Sequence, residues 1–301
     1  MPRLIPLDPV IRCLLVPSSL GLSIVGSEAV LEKTNILSLG ATLRNNGLDA
    51  KIGKPIRPYF PCAKPLANLL GRLADKTEAA IRSGERLLVI GGDHSIAVGT
   101  WKGIGRALGS MPGLIWIDAH LDAHIPATSP SGNAHGMPVA ALLGEVVPEM
   151  TDIAGPPLEP ARLVIIGVRS FEVAEYRLLN RLGVRIVDAE TVAAKGAATV
   201  LAEARAWLGP GPWGLSLDID AIDPLAAPGV NTPVADGLAA GELCNTLRGL
   251  LRQRDCVGLE IAEYNPQRDP DGRTARQIHH HIDAAAAPDD HTRHRSKNSK
   301  K

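Results

Sequence analysis

Aromatic side chains make up only 3% of this 301-residue sequence, so a core of any size must be built from Leu, Ile, Val and Ala. Cysteine is scarce as well. Cys13, Cys62, Cys244 and Cys256 stand far apart without a C-x-x-C pair, which argues against a thiolate zinc site and gives no sign of a disulfide framework. Net charge is missing: 32 basic residues balance 32 acidic ones. There is thus no electrostatic reason to expect a nucleic-acid or anionic-membrane partner. No apolar run approaches the length of a membrane span. The N-terminus has one early arginine, Arg3, and its apolar patch is broken by Pro6, Pro9 and Pro17, so it lacks a signal-peptide core. A cytoplasmic location is the expectation.

What is present is ordinary in amount and unusual in arrangement. Hydrophobic content of 45% with 21% charged residues is that of a globular protein, long enough for one large α/β domain or two smaller ones. Short apolar runs read as strands at Ile11–Val16, Leu87–Ile90, Leu114–Ile117, Leu163–Val168, Val184–Val187, Leu215–Ile219 and Val257–Ile261. A short strand and loop fall within Lys51–Pro61. Helical patterns lie between them, at about Glu28–Arg44, Pro65–Ser83, up to Leu108, Pro138–Leu143, up to Leu182, Thr191–Leu208 and Ala239–Arg252. Such alternation implies βαβ crossovers and a mainly parallel sheet covered on both faces. Residues 1–283 are expected to form a single domain. The basic stretch from Ala284 to Lys301 reads as a mostly disordered tail, preceded by His279-His280-His281 at an exposed helix end.

The segment Leu114 to Pro138, LIWIDAHLDAHIPATSPSGNAHGMP, concentrates the chemistry. Asp118, His120 and Asp122 follow the strand directly, then His124, Ser131, Asn133 and His135. Such a density of carboxylate and imidazole near a buried strand end is costly unless a cation neutralises it. Ligands gather at the carboxyl ends of strands in an open parallel sheet, and further clusters sit at those ends: Gly92-Asp93-His94, Asp218-Ile219-Asp220 and Glu263. If the chain stays extended there, Asp118, His120 and Asp122 share a parity, as do Asp218 and Asp220. Two histidines and four aspartates suit a carboxylate-bridged pair of ions, and oxygen-rich ligation suits Mn2+.

The segments GGDHS, DAHLD, SGNAHGMP, SLDIDAIDP and EYNP, spread over Leu87 to Arg276, resemble in order the signature motifs of the arginase and agmatinase family, the ureohydrolases. The resemblance implies a three-layer αβα fold and two Mn2+ ions per chain. One ion would take His94, Asp118, Asp122 and Asp218; the other would take His120, Asp118, Asp218 and Asp220. It also implies a metal-activated water that attacks a guanidinium and releases urea. His135 would carry the proton to the leaving amine, and Glu263 would pair with the guanidinium. A homo-oligomer, trimer or hexamer, is implied too.

The same resemblance points to L-arginine as substrate. Ser131 and Asn133 fall where the amino-acid head group is held, and Glu172 and Glu175 where the α-ammonium is contacted. Agmatine or a guanidino acid is the alternative, and a non-catalytic homologue a further one. Two residues depart from the family pattern: His124 stands where an asparagine is usual, and Glu172 where an aspartate is. The N-terminal third matches only loosely.

Overall fold

The computed structural model describes residues 10–22, 36–59 and 61–288. Its strands are β1 (Val10–Val16), β2 (Asp49–Ile52), β3 (Arg86–Gly91), β4 (Gly113–Ile117), β5 (Leu163–Val168), β6 (Arg185–Asp188), β7 (Trp213–Asp218) and β8 (Cys256–Ala262). They form one sheet in the order β2-β1-β3-β8-β7-β4-β5-β6, and every neighbouring pair is parallel.

The inner strands are largely apolar because each parity of side chain meets its own helical layer; Ser216 of β7 and Glu260 of β8 are buried polar exceptions. Leu88 and Ile90 of β3, Ile115 and Ile117 of β4, and Leu215 and Leu217 of β7 share one core with α1 (Ile36–Asn45), α6 (Ala189–Lys195), α7 (Ala197–Trp207), α8 (Ala240–Thr246) and α9 (Arg273–Ala286). Leu87, Val89, Leu114 and Trp116 point to the other side, into a core with α2 (Pro65–Arg82), α3 (Ile96–Leu108), α4 (Pro138–Leu143) and α5 (Val173–Leu182). The result is the expected αβα sandwich. The core is aliphatic with four large exceptions: Trp101, Trp116, Trp213 and Tyr264 are fully buried. Helices α2 and α3 touch because Gly103 has no side chain; a Cβ there would stand 2.0 Å from Thr77 Oγ1 and 2.2 Å from Ala74 O.

Several sequence expectations are corrected. The single helix at Thr191–Leu208 is two, broken at Gly196, whose φ of 85° and ψ of 140° no helix contains. The helix at Ala239–Arg252 also splits. It stops at Thr246, and Gly249 at φ 72° leads into a separate 3-10 turn, Leu250–Arg252. Conversely, α9 runs through Ala286, past the proposed start of the tail at Ala284. Its end is held from outside: Gly249 N donates to Ala284 O and Arg252 Nε to Ala286 O, both at 2.9 Å. Good helix formers capped this way continue the helix. The histidine triplet lies within α9 rather than at its end: His280 is exposed, but His281 is fully buried with Nδ1 2.8 Å from Gln277 O. The tail from residue 289, and the part of the first expected helix before Ile36, lie outside the described residues.

Candidate metal centre

Strand register brings the clusters to one place. Ile90 pairs with Ile261, Ile261 with Leu217, and Leu217 with Ile117, so β3, β8, β7 and β4 end level and side by side. His94, Glu263, Asp218 and Asp118 emerge from those four ends. Extended parity is not how the remaining groups arrive, contrary to the conditional expectation. After Asp118 the chain turns, and His120 N donates back to Asp118 Oδ1 at 2.7 Å. Asp122 takes a left-handed φ of 50°. Asp220 sits on the 3-10 turn Ile219–Ala221, its N–H donating to Asp218 Oδ1 at 2.8 Å. Short polar side chains tolerate such backbone better than branched ones do.

The donor atoms fall into two groups sharing Asp118. His94 Nδ1 lies 3.3 Å from Asp118 Oδ2, 3.1 Å from Asp122 Oδ2 and 3.1 Å from Asp218 Oδ2. His120 Nδ1 lies 3.5 Å from Asp118 Oδ1 and 3.2 Å from Asp220 Oδ2. The two sets, His94/Asp118/Asp122/Asp218 and Asp118/His120/Asp220, are each tight enough to surround an ion. Asp218 is absent from the second set; its Oδ1 instead accepts the Asp220 N–H.

The hydrogen bonds around His94 test whether a cation fits. Ser216 Oγ donates to Glu260 Oε1 at 2.8 Å, so its lone pair accepts from His94 Nε2–H at 2.9 Å. The lone pair of Nδ1 then faces three carboxylate oxygens, an arrangement that only a shared positive charge reconciles. The ring is further fixed by stacking on Trp116 at 4.2 Å, and Trp116 Nε1 donates to Asp118 Oδ2 at 2.8 Å. Asp122 Oδ2, though close to His94, has no hydrogen-bond partner among the described residues.

Electrostatics show the same demand. Burial disfavours charge on His94, yet the carboxylates of Asp118, Asp122 and Asp218 lift its pKa well above the ordinary imidazole value. His120 is likewise pushed up to about 12, against burial, by Asp118 and Asp220. Burial and the neighbouring Asp118 raise Asp122 to about 6; burial with Asp220 and Asp118 raises Asp218 well above the carboxylate range. The donors fit a pair of divalent cations.

Above the cluster opens a cleft of about 230 Å³ lined by His120, Asp122, Ser131, His135, Thr232 and Glu263, among others. Glu263, held at a left-handed φ of 63°, accepts from His94 N at 2.8 Å and from Asn231 Nδ2 at 3.1 Å, and its Oε1 lies 3.1 Å from His135 Nδ1. His135 is pushed up to about 9: burial opposes the shift, but Glu263 dominates. Ser131 is exposed and Asn133 half-buried at the same cleft. In the same cleft, His124 Nε2 contacts Glu172 Oε2 at 2.9 Å and Glu175 Oε2 at 3.2 Å.

Some groups of the site escape sequence reading. Asn231 and Thr232 come from a loop without periodicity, and only their nearness to the Asp218 cluster would flag them. Thr232 Oγ1 donates to Asp220 Oδ2 at 3.1 Å. Arg169 donates to the carbonyls of Asp220, Ala221, Val234 and Ala235 and so pins the loop after β7. Gly21 joins the loosely matching N-terminal stretch to the centre. Its N–H donates to Asp93 Oδ2 at 3.1 Å and its carbonyl accepts from His135 N at 3.0 Å. A Cβ on Gly21 would stand 2.2 Å from Asp93 Oδ1.

Comparison with known proteins agrees with this geometry. A model described as the arginase family matches residues 28–286. Arginase from Bacillus caldovelox is 39% identical over 237 residues, which cover 75% of this chain and 79% of that one. The crystal structure of arginase from Bacillus subtilis superposes with a TM-score of 0.86 at 29% identity, covering 93% of this chain and 99% of its own. A hypothetical agmatinase from Burkholderia thailandensis shares the fold, with a TM-score of 0.71 at 24% identity over 94% of this chain and 86% of that one. The chain belongs to the arginase family.

Proposed function

We propose that this chain is a Mn2+-dependent hydrolase that cleaves L-arginine to L-ornithine and urea. One observation carries the reading: two buried donor groups share Asp118 beneath a cleft that also presents His135 and Glu263. His94, Asp118, Asp122 and Asp218 would hold one ion; His120, Asp118 and Asp220 would hold the other. Asp218 as a second bridge rests on the family resemblance. Oxygen-rich ligation favours Mn2+ among the available metals.

A bound metal pair supplies a water acidic enough to act as hydroxide near neutral pH. The side chains do the rest. Glu263, kept ionised by His135 against its burial, offers a carboxylate to the planar guanidinium, a charge-assisted contact that fixes the position of the carbon. His135, whose pKa lies above neutrality, holds a proton at the cleft for the departing amine. Ser131 and Asn133 provide polar groups at the mouth for a carboxylate head. Homo-oligomeric assembly and a cytoplasmic location are part of the same proposal and rest on the resemblance and the composition.

A second reading, an agmatinase or guanidino-acid hydrolase, is favoured by His124, which already engages both carboxylates expected to receive an α-ammonium. Urea and ornithine measured after incubation with Mn2+ and L-arginine decide between them. Stoichiometric ornithine and urea support the first reading. Urea from agmatine or a guanidino acid, with none from arginine, would replace it by the second.

A further inference from the structure

The head-group wall of the cleft is internally bonded before any substrate arrives. His124 is buried, with only 7% of its surface exposed, and its Nε2 points between Glu172 and Glu175 at 2.9 and 3.2 Å. A ring nitrogen aimed at carboxylate oxygens carries its hydrogen there, so Nε2–H donates to Glu172 Oε2, with Glu175 Oε2 beside it at ion-pair distance. The other nitrogen, Nδ1, lies 3.1 Å from Thr128 Oγ1, and that hydroxyl is fixed by the Ile125 N–H at 3.1 Å. The ring therefore cannot swing aside without losing a contact on each edge.

Glu175 is committed further. Its Oε1 accepts from Ala123 N at 3.0 Å and its Oε2 from Glu172 N at 3.1 Å, closing a capping box at the start of α5. Both oxygens are thus engaged in holding the wall together. Glu172, with 55% of its side chain exposed, is the member of the pair that faces solvent and cleft.

We infer that His124 is a specificity-determining residue that lowers the demand of this subsite for an α-ammonium, so the chain accepts guanidino acids lacking that group nearly as well as arginine. The inference rests on the guanidine-hydrolase reading above. Its physical basis is competition. An ammonium gains from a carboxylate only the hydrogen bonding that the carboxylate does not already receive, and here an imidazole N–H must first be displaced or shared. A substrate with a carboxylate head and no ammonium is spared that exchange.

The test compares kcat/KM for L-arginine with that for 5-guanidinopentanoate, which differs only by the α-ammonium. The expected preference for arginine in the unaltered chain is within about tenfold, and His124→Asn should raise it by about tenfold or more, mainly through KM. A ratio that stays the same or falls in the variant overturns the inference. Since a ratio between two substrates is insensitive to a general loss of folded enzyme, it reads selection alone.

Glu172→Gln supplies an independent arm. It should change the ratio less than about threefold in the unaltered chain and about tenfold beside His124→Asn, a non-additive pair; equal effects in both backgrounds overturn the inference. Calorimetric binding of L-ornithine against 5-aminopentanoate repeats the comparison without turnover. If neither guanidine yields urea, the activity reading falls, and the binding ratio in His124→Asn still decides the role of His124 by the same criterion.

Discussion

At the scale of single residues, the side chains proposed as ligands, proton carrier and positioning groups crowd into one cluster and are separable by what their loss should remove. Asp122→Ala deletes a donor of the first group together with the carboxylate at 3.1 Å from His94. It should abolish Mn2+-dependent urea release and lower bound metal below that of the unaltered chain, measured by elemental analysis; full activity in this variant would refute the ligand assignment. His135→Asn should behave differently. Metal content should stay as it was, while kcat falls by about 10²–10⁴-fold, the usual worth of a positioned general acid. Retained kcat with raised KM would instead make His135 a binding residue. Much of this was legible in the sequence because ligand chemistry restricts residue type: His94, Asp118, His120, Asp122, Asp218 and Asp220 all converge in the fold. The hydrogen-bonding partners that orient them, Ser216 and Glu260 under His94 and Asn231 beside Glu263, were not. A serine or an asparagine suits a hundred environments, and only proximity reveals its partner.

At the scale of elements, strand identity was readable from apolar runs, whereas helix ends depended on glycines whose conformation a sequence does not declare. Gly196 and Gly249 each interrupt a stretch whose composition otherwise favours one helix. The turns after β4 and β7 were likewise hidden, since Asp122 at positive φ and Asp220 on a 3-10 turn replace a simple strand alternation. The N-terminal loop matched poorly by motif, yet Gly21 ties it to Asp93 and His135 through backbone hydrogen bonds, and only the absence of a side chain at Gly21 marks the contact in the sequence.

One edge of the sheet carries its own electrostatic tie. Glu85, buried at the start of β3, accepts from Arg12 of β1 at 2.8 and 2.9 Å and from Lys51 of β2 at 2.8 Å, so one carboxylate links three strands. Burial acts to raise its pKa, but the two cations together hold it below the usual 4.5. A depressed folded-state pKa gives stability that is present above the unfolded value and lost as pH falls through the folded one. Glu85→Gln should therefore cost about 1.5 kcal/mol near pH 7, the low end for hydrogen bonds to charged groups because both cations are partly solvated. The difference should begin to shrink as pH falls below 4.5 and vanish only once pH is below the depressed folded-state value. Denaturant melts at the two pH values check this, and an equal deficit at both would assign the loss to packing.

At the scale of the whole molecule, the fold places its four central strands, β3, β8, β7 and β4, so that each ends beside the next. Chain order scatters His94, Asp118, Asp218 and Glu263 over some 170 positions; sheet order makes them neighbours. That reordering could not be read from spacing, but its consequence could, since polar clusters recurred after one apolar strand after another. No helix among the described residues is long and apolar enough to cross a membrane, in keeping with the sequence reading.

The central claim is that the two donor groups sharing Asp118 hold a metal pair that hydrolyses a guanidinium. Its most direct test is urea release from L-arginine by chain loaded with Mn2+, freed of excess metal and analysed for metal content. About two ions per chain, with urea and ornithine formed in equal amounts and lost on chelation, is the expected result. Two bound ions without urea from arginine, agmatine or any guanidino acid would contradict it.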